Sequence, residues 1–291
     1  MYEKILVPLD GSKLAEQVFP TIVDLARAFG SEVVLIEVCE PEESEYGQAC
    51  QLYINSEAEQ LRKSLAGSAV DIKTVVLSGK AAEQILKYAE KNDVSLIAIS
   101  SHGRSGIAPW SLGGTANKVL HRVGVPLIVV RAKEMTEEPA KTGLFSRLLI
   151  PLDGSERGTT VLPYLVELAK KIDCEMTLLQ VVEPGKHVHT IGGLNYIPYK
   201  DRDINSAKVN AQTYLNEILS KFADTKATVR SEVRVGDSAR EITRLAAETV
   251  PSLIAMSSHG HSGFAIWSHG SVTGKILQAS KQSFMFVPAL G

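Results

Sequence analysis

The chain contains one sequence pattern twice, and this duplication limits what it can fold into more than any other feature. The segment SLIAISSHGRSG at residues 95–106 returns as SLIAMSSHGHSG at residues 252–263. ILVPLDGS at residues 5–12 returns as LLIPLDGS at residues 148–155, an offset of 143 positions. A period of this length exceeds the roughly 20–50 residues of a solenoid repeat. Each copy is therefore predicted to be a domain of its own.

The second copy carries an insertion. From Gly79 and Gly236 onward the offset between the copies is 157, so fourteen residues are added in the region 186–200, which is rich in His, Gly and Tyr. The length of 291 residues fits two domains of about 150 residues each. We predict a first domain at residues 1–132, a polar linker at 133–145 and a second domain at 146–291.

Composition excludes several classes of protein. The formal net charge of −2 argues against a general nucleic-acid or acidic-membrane surface. The chain has no run of 18 apolar residues, and it enters its first strand without a signal-peptide pattern. We therefore expect a cytoplasmic protein that binds neither nucleic acid nor membrane. Cys39, Cys50 and Cys174 form no CxxC motif, and we expect free, structural thiols.

Strands and helices alternate along each copy. In the first copy the apolar pattern predicts strands at residues 4–9, 32–38, 71–77, 95–100 and 126–130, and helices at 13–29, 56–65, 81–90 and 114–121. Pro20 and its counterpart Pro163 are expected to kink the first helix of each copy. Strands that are apolar on both faces indicate a parallel sheet. The fold class is therefore α/β, with two tandem doubly wound, Rossmann-like domains, each a five-stranded parallel sheet of order 3-2-1-4-5 with helices on both faces.

This topology places the functional site. In open α/β sheets, ligands bind beyond the carboxyl ends of the strands where the strand order reverses. For the order 3-2-1-4-5 that point lies between strands one and four, which end in the duplicated Pro-Leu-Asp-Gly-Ser and Ser-Ser-His-Gly motifs. Glycines let a ligand approach the backbone, and the N-terminus of the next helix offers unpaired N–H groups. Such a surface suits phosphate.

These motifs resemble those of the universal stress protein family, in its tandem two-domain form. ATP-binding members of that family carry the signature G-x-x-G-x9-G-[ST] after strand four. The second copy is similar to it through Gly260, Gly270 and Ser271, and departs from it at Ser257. The first copy departs from it twice, at Ser100 and at Gly114, where a hydroxyl residue is expected. The resemblance covers nearly the whole chain except the linker and the insertion.

The resemblance implies a site for ATP or a related adenine nucleotide, alone or with Mg²⁺, and favours the second copy. The binding residues implied there are Pro151, Asp153, Val181, Ser257, Gly260, Gly270, Ser271, Val272 and Thr273. Those implied in the first copy are Pro8, Asp10, Val38, Ser100, Gly103, Gly113, Gly114 and Thr115. The Asp, Pro and Val residues belong to the adenine and ribose end, and the glycines and hydroxyls to the phosphate end. Because Gly114 lacks a hydroxyl, the first site is expected to be weaker or to bind a different ligand.

Simpler interpretations compete with these roles. Asp10 and Asp153 at strand-to-helix turns are also typical of helix caps. The glycine loops are also compatible with plain tight turns. We expect His102 and His259 to order their loops, and Arg104 to be a solvated loop charge.

Histidine clustering adds a metal hypothesis. Five of the seven histidines lie in the second copy, at His187, His189, His259, His261 and His269. His-x-His pairs supply zinc ligands in some proteins. The spacing is weak evidence across an insertion, so no metal is assigned.

No catalytic residue is assigned either. The sequence has no Walker A lysine, no SxxK or GxSxG nucleophile and no pair of carboxylates with a spacing that separates acid from base. The leading hypothesis is a stress-response protein that binds a nucleotide and acts as a switch or scaffold, with slow ATP hydrolysis at most. One alternative is a dimerisation module without a nucleotide. Its apolar last strands at 127–130 and 284–287 would pair the two copies within one chain as a pseudo-dimer, or pair two chains as a homodimer. A third hypothesis is a slow ATPase or a self-phosphorylating protein.

Overall fold

The chain folds into two compact units. The computed structural model describes residues 1–39, 44–106, 112–133, 143–190, 193–198, 201–257 and 272–289. The first unit comprises Met1–Leu144 together with Ser283–Pro288, and the second comprises Phe145–Gln282 with Ala289–Gly291. The two sequence copies thus correspond to the two units, except for the short segment Ser283–Pro288 near the end of the chain.

The sheet of the first unit follows the predicted order. Its strands are β1 (Lys4–Leu9), β2 (Glu32–Cys39), β3 (Ile72–Ser78), β4 (Leu96–Ser100) and β5 (Leu127–Val130). They are parallel and run in the order β3-β2-β1-β4-β5. All residues of β4 and β5 are buried, as expected for a parallel sheet that is covered on both faces.

The second unit repeats this arrangement over four strands. Its elements are β6 (Arg147–Leu152), β7 (Glu175–Val182), the pair β8 (Gly185–Thr190) and β9 (Gly193–Pro198), β10 (Thr228–Val235) and β11 (Leu253–Ser257). The parallel strands run in the order β10-β7-β6-β11. The strand β12 (Ser283–Val287), predicted as the fifth of the second copy, belongs to the first unit, where it pairs antiparallel with β5.

The insertion of the second copy forms a hairpin. Strands β8 and β9 pair antiparallel, with Gly185 opposite Pro198 and Thr190 opposite Gly193. This pair forms a two-stranded sheet of its own. The predicted inserted loop is therefore a β-hairpin between β7 and the next helix.

The helices lie between the parallel strands in the chain. In the first copy they are α1 (Phe19–Phe29), α2 (Ser44–Ser64), α3 (Ala81–Lys91) and α4 (Gly114–Arg122). In the second copy they are α5 (Leu162–Lys171), α6 (Asp201–Ser220), α7 (Ser238–Thr249) and α8 (Val272–Ala279). Among the described residues, no helix combines the length and the apolar character that a membrane crossing requires.

The prediction of a proline kink is wrong. A short 3₁₀ turn at Ala15–Val18 precedes α1, and Pro20 lies in the first turn of the α-helix. The second copy repeats this with a 3₁₀ turn at Arg157–Val161 and Pro163 at the start of α5. A proline in the first turn breaks no helical hydrogen bond because the N–H groups there have no partner within the helix. The prolines therefore mark where the α-helices begin.

Two of the three cysteines are not free. The structure joins Cys39, the last residue of β2, to Cys50 of α2 in a disulfide, whereas Cys174 is a free, buried thiol. The expectation of three free thiols is wrong for this pair. Helix α2 passes over the carboxyl end of β2, which brings two cysteines separated by 11 residues to a Cα–Cα distance of 6.8 Å.

Candidate functional site

The carboxyl ends of β1 and β4 lie side by side in the first unit. Strand β1 pairs with β2 on one side and with β4 on the other, all parallel. The loops after β1 and β4 therefore leave the same edge of the sheet. The strand order reverses between β1 and β4, and we call this position the switch point of the unit. Parallel α/β sheets bind ligands at such positions.

Asp10, the first residue after β1, ties these two loops together. One carboxylate oxygen, Oδ1, accepts hydrogen bonds from the Ser12 backbone N–H (3.1 Å) and hydroxyl (2.6 Å). The other oxygen, Oδ2, accepts from the Arg104 backbone N–H at 2.7 Å. The turn that follows is capped by the Ser12 hydroxyl, which accepts from the Ala15 N–H at 3.1 Å. Asp10 thus joins the two loops, and the Ser12 hydroxyl rather than Asp10 accepts from the first residue of the 3₁₀ turn.

The second copy repeats the first half of this arrangement. Asp153 Oδ1 accepts from the Ser155 N–H at 3.0 Å and from the Ser155 hydroxyl at 2.7 Å. The Ser155 hydroxyl in turn accepts from the Gly158 N–H at 2.9 Å. The same geometry on a differing sequence shows that the Asp-Gly-Ser turn is built by its own side chains.

The glycine loop after β4 fits closely against Asp10. A Cβ atom on Gly103 would lie 1.9 Å from Asp10 Oδ2, far inside van der Waals contact. Gly113, at the other end of the loop, donates its N–H to the Ser101 carbonyl at 2.7 Å. Gly113 precedes α4 and provides no side-chain cap. The first turn of α4 therefore presents N–H groups suited to an anion.

His102 orders the loop from inside. Its ring is buried, and Nδ1 lies 3.0 Å from the Ser101 hydroxyl, which accepts from the Ala132 N–H at 2.9 Å. Burial, followed by the nearby Arg131 charge, lowers the pKa of His102. A neutral, buried imidazole in this position supports the loop-ordering role expected for it.

A cavity of about 270 Å³ opens beside the switch point of the first unit. We call it the first-copy cavity, and its lining residues are Gly11, Glu37, Cys39, Ala49, Cys50, Tyr53 and Arg104. The ends of β1 and β2, the side of α2 and the glycine loop contribute one or more of these residues each. Pockets that hold small ligands have volumes of about 300–1,000 Å³, so this cavity has room for part of a nucleotide.

Glu37 gives this cavity its chemistry. The side chain is 2% exposed, and its Oε1 lies 3.3 Å from Arg104 Nη2. The other oxygen, Oε2, is buried and has no hydrogen-bond partner among the described residues. Burial raises the pKa of Glu37 to about 7, although the Arg104 charge acts in the opposite direction. The cavity therefore holds a carboxyl group that changes charge near neutral pH.

In the second unit Gln180 takes the place of Glu37. Glu37 is the register partner of Leu9 on β1, and Gln180 is the register partner of Leu152 on β6. The amide oxygen of Gln180 is buried without a partner in the described part of the chain. Its amide nitrogen packs so closely on Gly154 that a Cβ there would lie 3.0 Å away. The two copies thus differ in one buried acceptor at the same position.

Sequence reasoning missed Glu37, Gln180, Tyr53 and the cysteine pair. A signal was present, because Glu37 interrupts a strand that is otherwise apolar, and a charge is seldom buried without a reason. Arg104 is only partly as expected. Its side chain is 67% exposed, yet it also lines the cavity.

The predicted site residues fall into three groups. Near the switch point of the first unit the structure describes Pro8, Asp10, Val38, Ser100, Gly103, Gly113, Gly114 and Thr115. In the second copy it describes Pro151, Asp153, Val181, Ser257, Val272 and Thr273. Gly260, Gly270 and Ser271 lie outside the described residues. Direct contacts join Asp10 to the Gly103 loop, and the Thr160 hydroxyl donates to the Ser257 hydroxyl at 2.9 Å.

Comparison with known proteins identifies the family. The model of the universal stress protein family matches residues 1–131 and 144–288. The chain belongs to the universal stress protein family.

Two relatives of this universal stress protein each match a little under half of the chain. A universal stress protein of Methanocaldococcus jannaschii is 28% identical over 142 residues, which cover 45% of this chain and 83% of that protein. One from Mycobacterium tuberculosis is 30% identical over 134 residues, 44% of this chain and 45% of that protein. A crystal structure of a universal stress protein from Archaeoglobus fulgidus matches all of both chains with a TM-score of 0.72 and 18% identity. That last likeness supports the fold alone.

The metal hypothesis for this universal stress protein falls on residues that the structure does not describe. His259, His261 and His269 lie in the range 258–271, and the side chains of His187 and His189 are not described. Within the described residues no group of three or more His, Cys, Asp or Glu side chains could hold a metal ion.

Glu37→Gln should change the pH dependence of stability. The pKa of Glu37 is raised from 4.5 to about 7 in the folded chain, so in this window the folded chain holds a proton that the unfolded chain has released. The free energy of unfolding of the wild type therefore falls as pH rises from about 5 to 8. The variant lacks this titration, so its stability relative to wild type should be higher at pH 8 than at pH 5 in urea unfolding.

Gln180→Glu is the mirror-image control for Glu37→Gln. It introduces a carboxyl group at the corresponding buried position, so its loss of stability should be larger at pH 8 than at pH 5. Parallel pH profiles for wild type and Glu37→Gln would contradict the raised pKa.

Gly103→Ala should destabilise the first unit. The added methyl group would lie 1.9 Å from Asp10 Oδ2, so the hydrogen bond from the Arg104 N–H to Asp10 must break or the loop must shift. We expect a loss of about 1–3 kcal/mol in the free energy of unfolding. Gly114→Ala is the control, because a Cβ there meets no atom within 4 Å, and it should change stability by less than about 0.5 kcal/mol. Equal losses of unfolding free energy in both variants would show that the contact with Asp10 is not the cause of the destabilisation.

Proposed function

We propose that this universal stress protein binds ATP or a related adenine nucleotide at the switch point of its second copy, and that the nucleotide controls a switch or scaffold function in the stress response. The observation that carries the proposal is the half-buried Gln180 side chain near the end of β7, whose amide oxygen is buried and has no partner in the described residues. A carboxamide offers one acceptor beside one donor. The edge of adenine offers a matching donor and acceptor, at N6 and N1.

The residues proposed to bind the phosphates are assigned from the glycine signature G-x-x-G-x9-G-[ST]. Ser271 directly precedes α8, which begins at Val272, and the signature places Gly270 immediately before it. Backbone N–H groups at a helix N-terminus favour phosphoryl oxygens through their hydrogen bonds and dipole. The Asp153 carboxylate, which accepts from Ser155, is proposed to accept hydrogen bonds from ribose hydroxyls as well. Mg²⁺ is proposed only as an ion bound to the triphosphate, with no protein ligands assigned to it.

The proposal is one of binding rather than of catalysis. Phosphoryl transfer needs a residue that activates or orients the nucleophile, and neither sequence nor geometry assigns such a role to a described residue. Slow hydrolysis or self-phosphorylation remains the alternative that adds chemistry at the same site. The cytoplasmic location and a further homodimer remain predictions.

The interaction-module hypothesis is the second candidate. It is favoured by the last strand of the chain, β12, which is wholly buried and pairs antiparallel with β5 in the first unit. Pairing of this kind satisfies an apolar edge strand that would otherwise seek a partner. On this hypothesis the two copies form a pseudo-dimer and the chain needs no nucleotide.

Calorimetric titration of ATP separates the two candidates. Gly270→Val should weaken the tighter ATP site at least tenfold, because a branched side chain blocks the approach of phosphate to the backbone. The matched variant Gly113→Val changes the first copy only and should leave that site unchanged.

The melting curve of each variant, followed by circular dichroism, is the control for folding. Heat signals of the same size and affinity for wild type and a folded Gly270→Val would contradict the proposed site. No titratable affinity in the wild type would favour the interaction module.

A further inference from the structure

One residue that lines the first-copy cavity, Glu37, has a carboxylate oxygen without a hydrogen-bond donor in the described structure. Glu37 is 2% exposed and its Oε2 is buried without a hydrogen-bond partner among the described residues. Buried polar atoms are almost always paired, so an orphan oxygen on a residue that lines the cavity indicates a missing donor. The cavity lies at the ends of β1 and β2, the end of the site that the family resemblance assigns to the base.

We propose that the first-copy cavity binds the base of a guanine nucleotide, and that the Glu37 carboxylate selects guanine over adenine. This inference rests on the proposed function, because it extends nucleotide binding from the second copy to the first.

The preference follows from hydrogen-bond chemistry. An ionised carboxylate is only an acceptor and takes two donors side by side. Guanine presents two adjacent donors, N1–H and the N2 amino group, whereas adenine places the acceptor N1 beside its N6 donor. Adenine would therefore set a lone pair against a carboxylate oxygen in a site sheltered from water, where such a mismatch is costly.

The contact with Arg104 shows the kind of hydrogen-bond donor that the Glu37 carboxylate binds. Its guanidinium carries N–H donors in a planar fork, and its Nη2 lies 3.3 Å from Glu37 Oε1. The Arg104 side chain is 67% exposed, so a ligand that displaces it returns the charge to water at little cost. The edge of guanine presents similar planar, adjacent donors, and in the place of the displaced Arg104 it would donate to both oxygens of Glu37.

The walls of the cavity fit a planar base. Tyr53 of α2 is among the residues that line it, and the Tyr53 hydroxyl lies 3.4 Å from Glu16 Oε1. The volume of about 270 Å³ suits the base rather than the whole nucleotide. Ribose and phosphates then lie toward Asp10 and the uncapped N-terminus of α4.

The second copy supplies an internal contrast. Gln180 occupies the position of Glu37, and its amide matches the donor and acceptor of adenine. One difference at equivalent positions therefore separates a site that requires two adjacent donors, which adenine lacks, from a site that also accepts the donor and acceptor of adenine. The weaker match of the first copy to the ATP-binding signature agrees with this difference.

Photo-cross-linking of the full chain with 8-azido-GTP and 8-azido-ATP at pH 8, followed by peptide mass spectrometry, tests the proposal. The two analogues should label different copies, with 8-azido-GTP on peptides from residues 1–131. Unlabelled GTP should suppress that labelling at least about tenfold more effectively than ATP. ITP, which keeps N1–H but lacks the N2 amino group, should be intermediate.

Two single substitutions, one in each copy, act as matched variants. Glu37→Gln should remove or reverse the GTP preference of the first copy, and Gln180→Glu should shift the second copy from ATP toward GTP. Equal suppression by ATP and GTP in the first copy, or no labelling there while the second copy takes 8-azido-ATP, overturns the guanine assignment and leaves the proposed function standing. No labelling of either copy by either analogue overturns both.

Discussion

The switch point of the first unit depends on one carboxylate that serves two loops. Asp10 accepts from Ser12 with one oxygen and from the backbone of Arg104 with the other. Because these loops follow β1 and β4, a single side chain sets their separation and orients the glycine loop toward α4. Gly103 is required by this closeness, since any Cβ would collide with Asp10. The described part of the candidate site is therefore held by its own hydrogen bonds, and such preorganisation lowers the entropic cost of binding a ligand.

Duplication has kept this frame and changed the groups inside it. The Asp-Gly-Ser turn has the same hydrogen bonds in both copies, whereas the buried acceptor beside it is a carboxyl in one and an amide in the other. A carboxyl group in such a place responds to pH, and when it is ionised it only accepts hydrogen bonds. An amide does not titrate, and it both donates and accepts. We therefore propose that the fold fixes where a ligand binds and that one side chain in each copy sets which ligand fits.

The repeat and the alternation of strands and helices were enough to predict the fold class and the strand order of the first unit, and the resemblance of the glycine signature predicted the family. Position along the chain also placed Asp10 at the switch point. The cavity was not predictable, because Glu37 meets Tyr53 and Cys50 only through the path of α2 over the end of β2. Residue spacing carries no information on such a path. The kink expected at Pro20 failed for a local reason, since a 3₁₀ turn starts the segment.

Hydrogen–deuterium exchange with and without saturating ATP tests the central claim most directly. The account predicts slower exchange in the loops after β6 and β11 and in the first turn of α8, with little change in α5 and α7 away from the strand ends. Protection spread evenly over the second copy, or confined to segments away from these strand ends, would contradict nucleotide binding at the switch point.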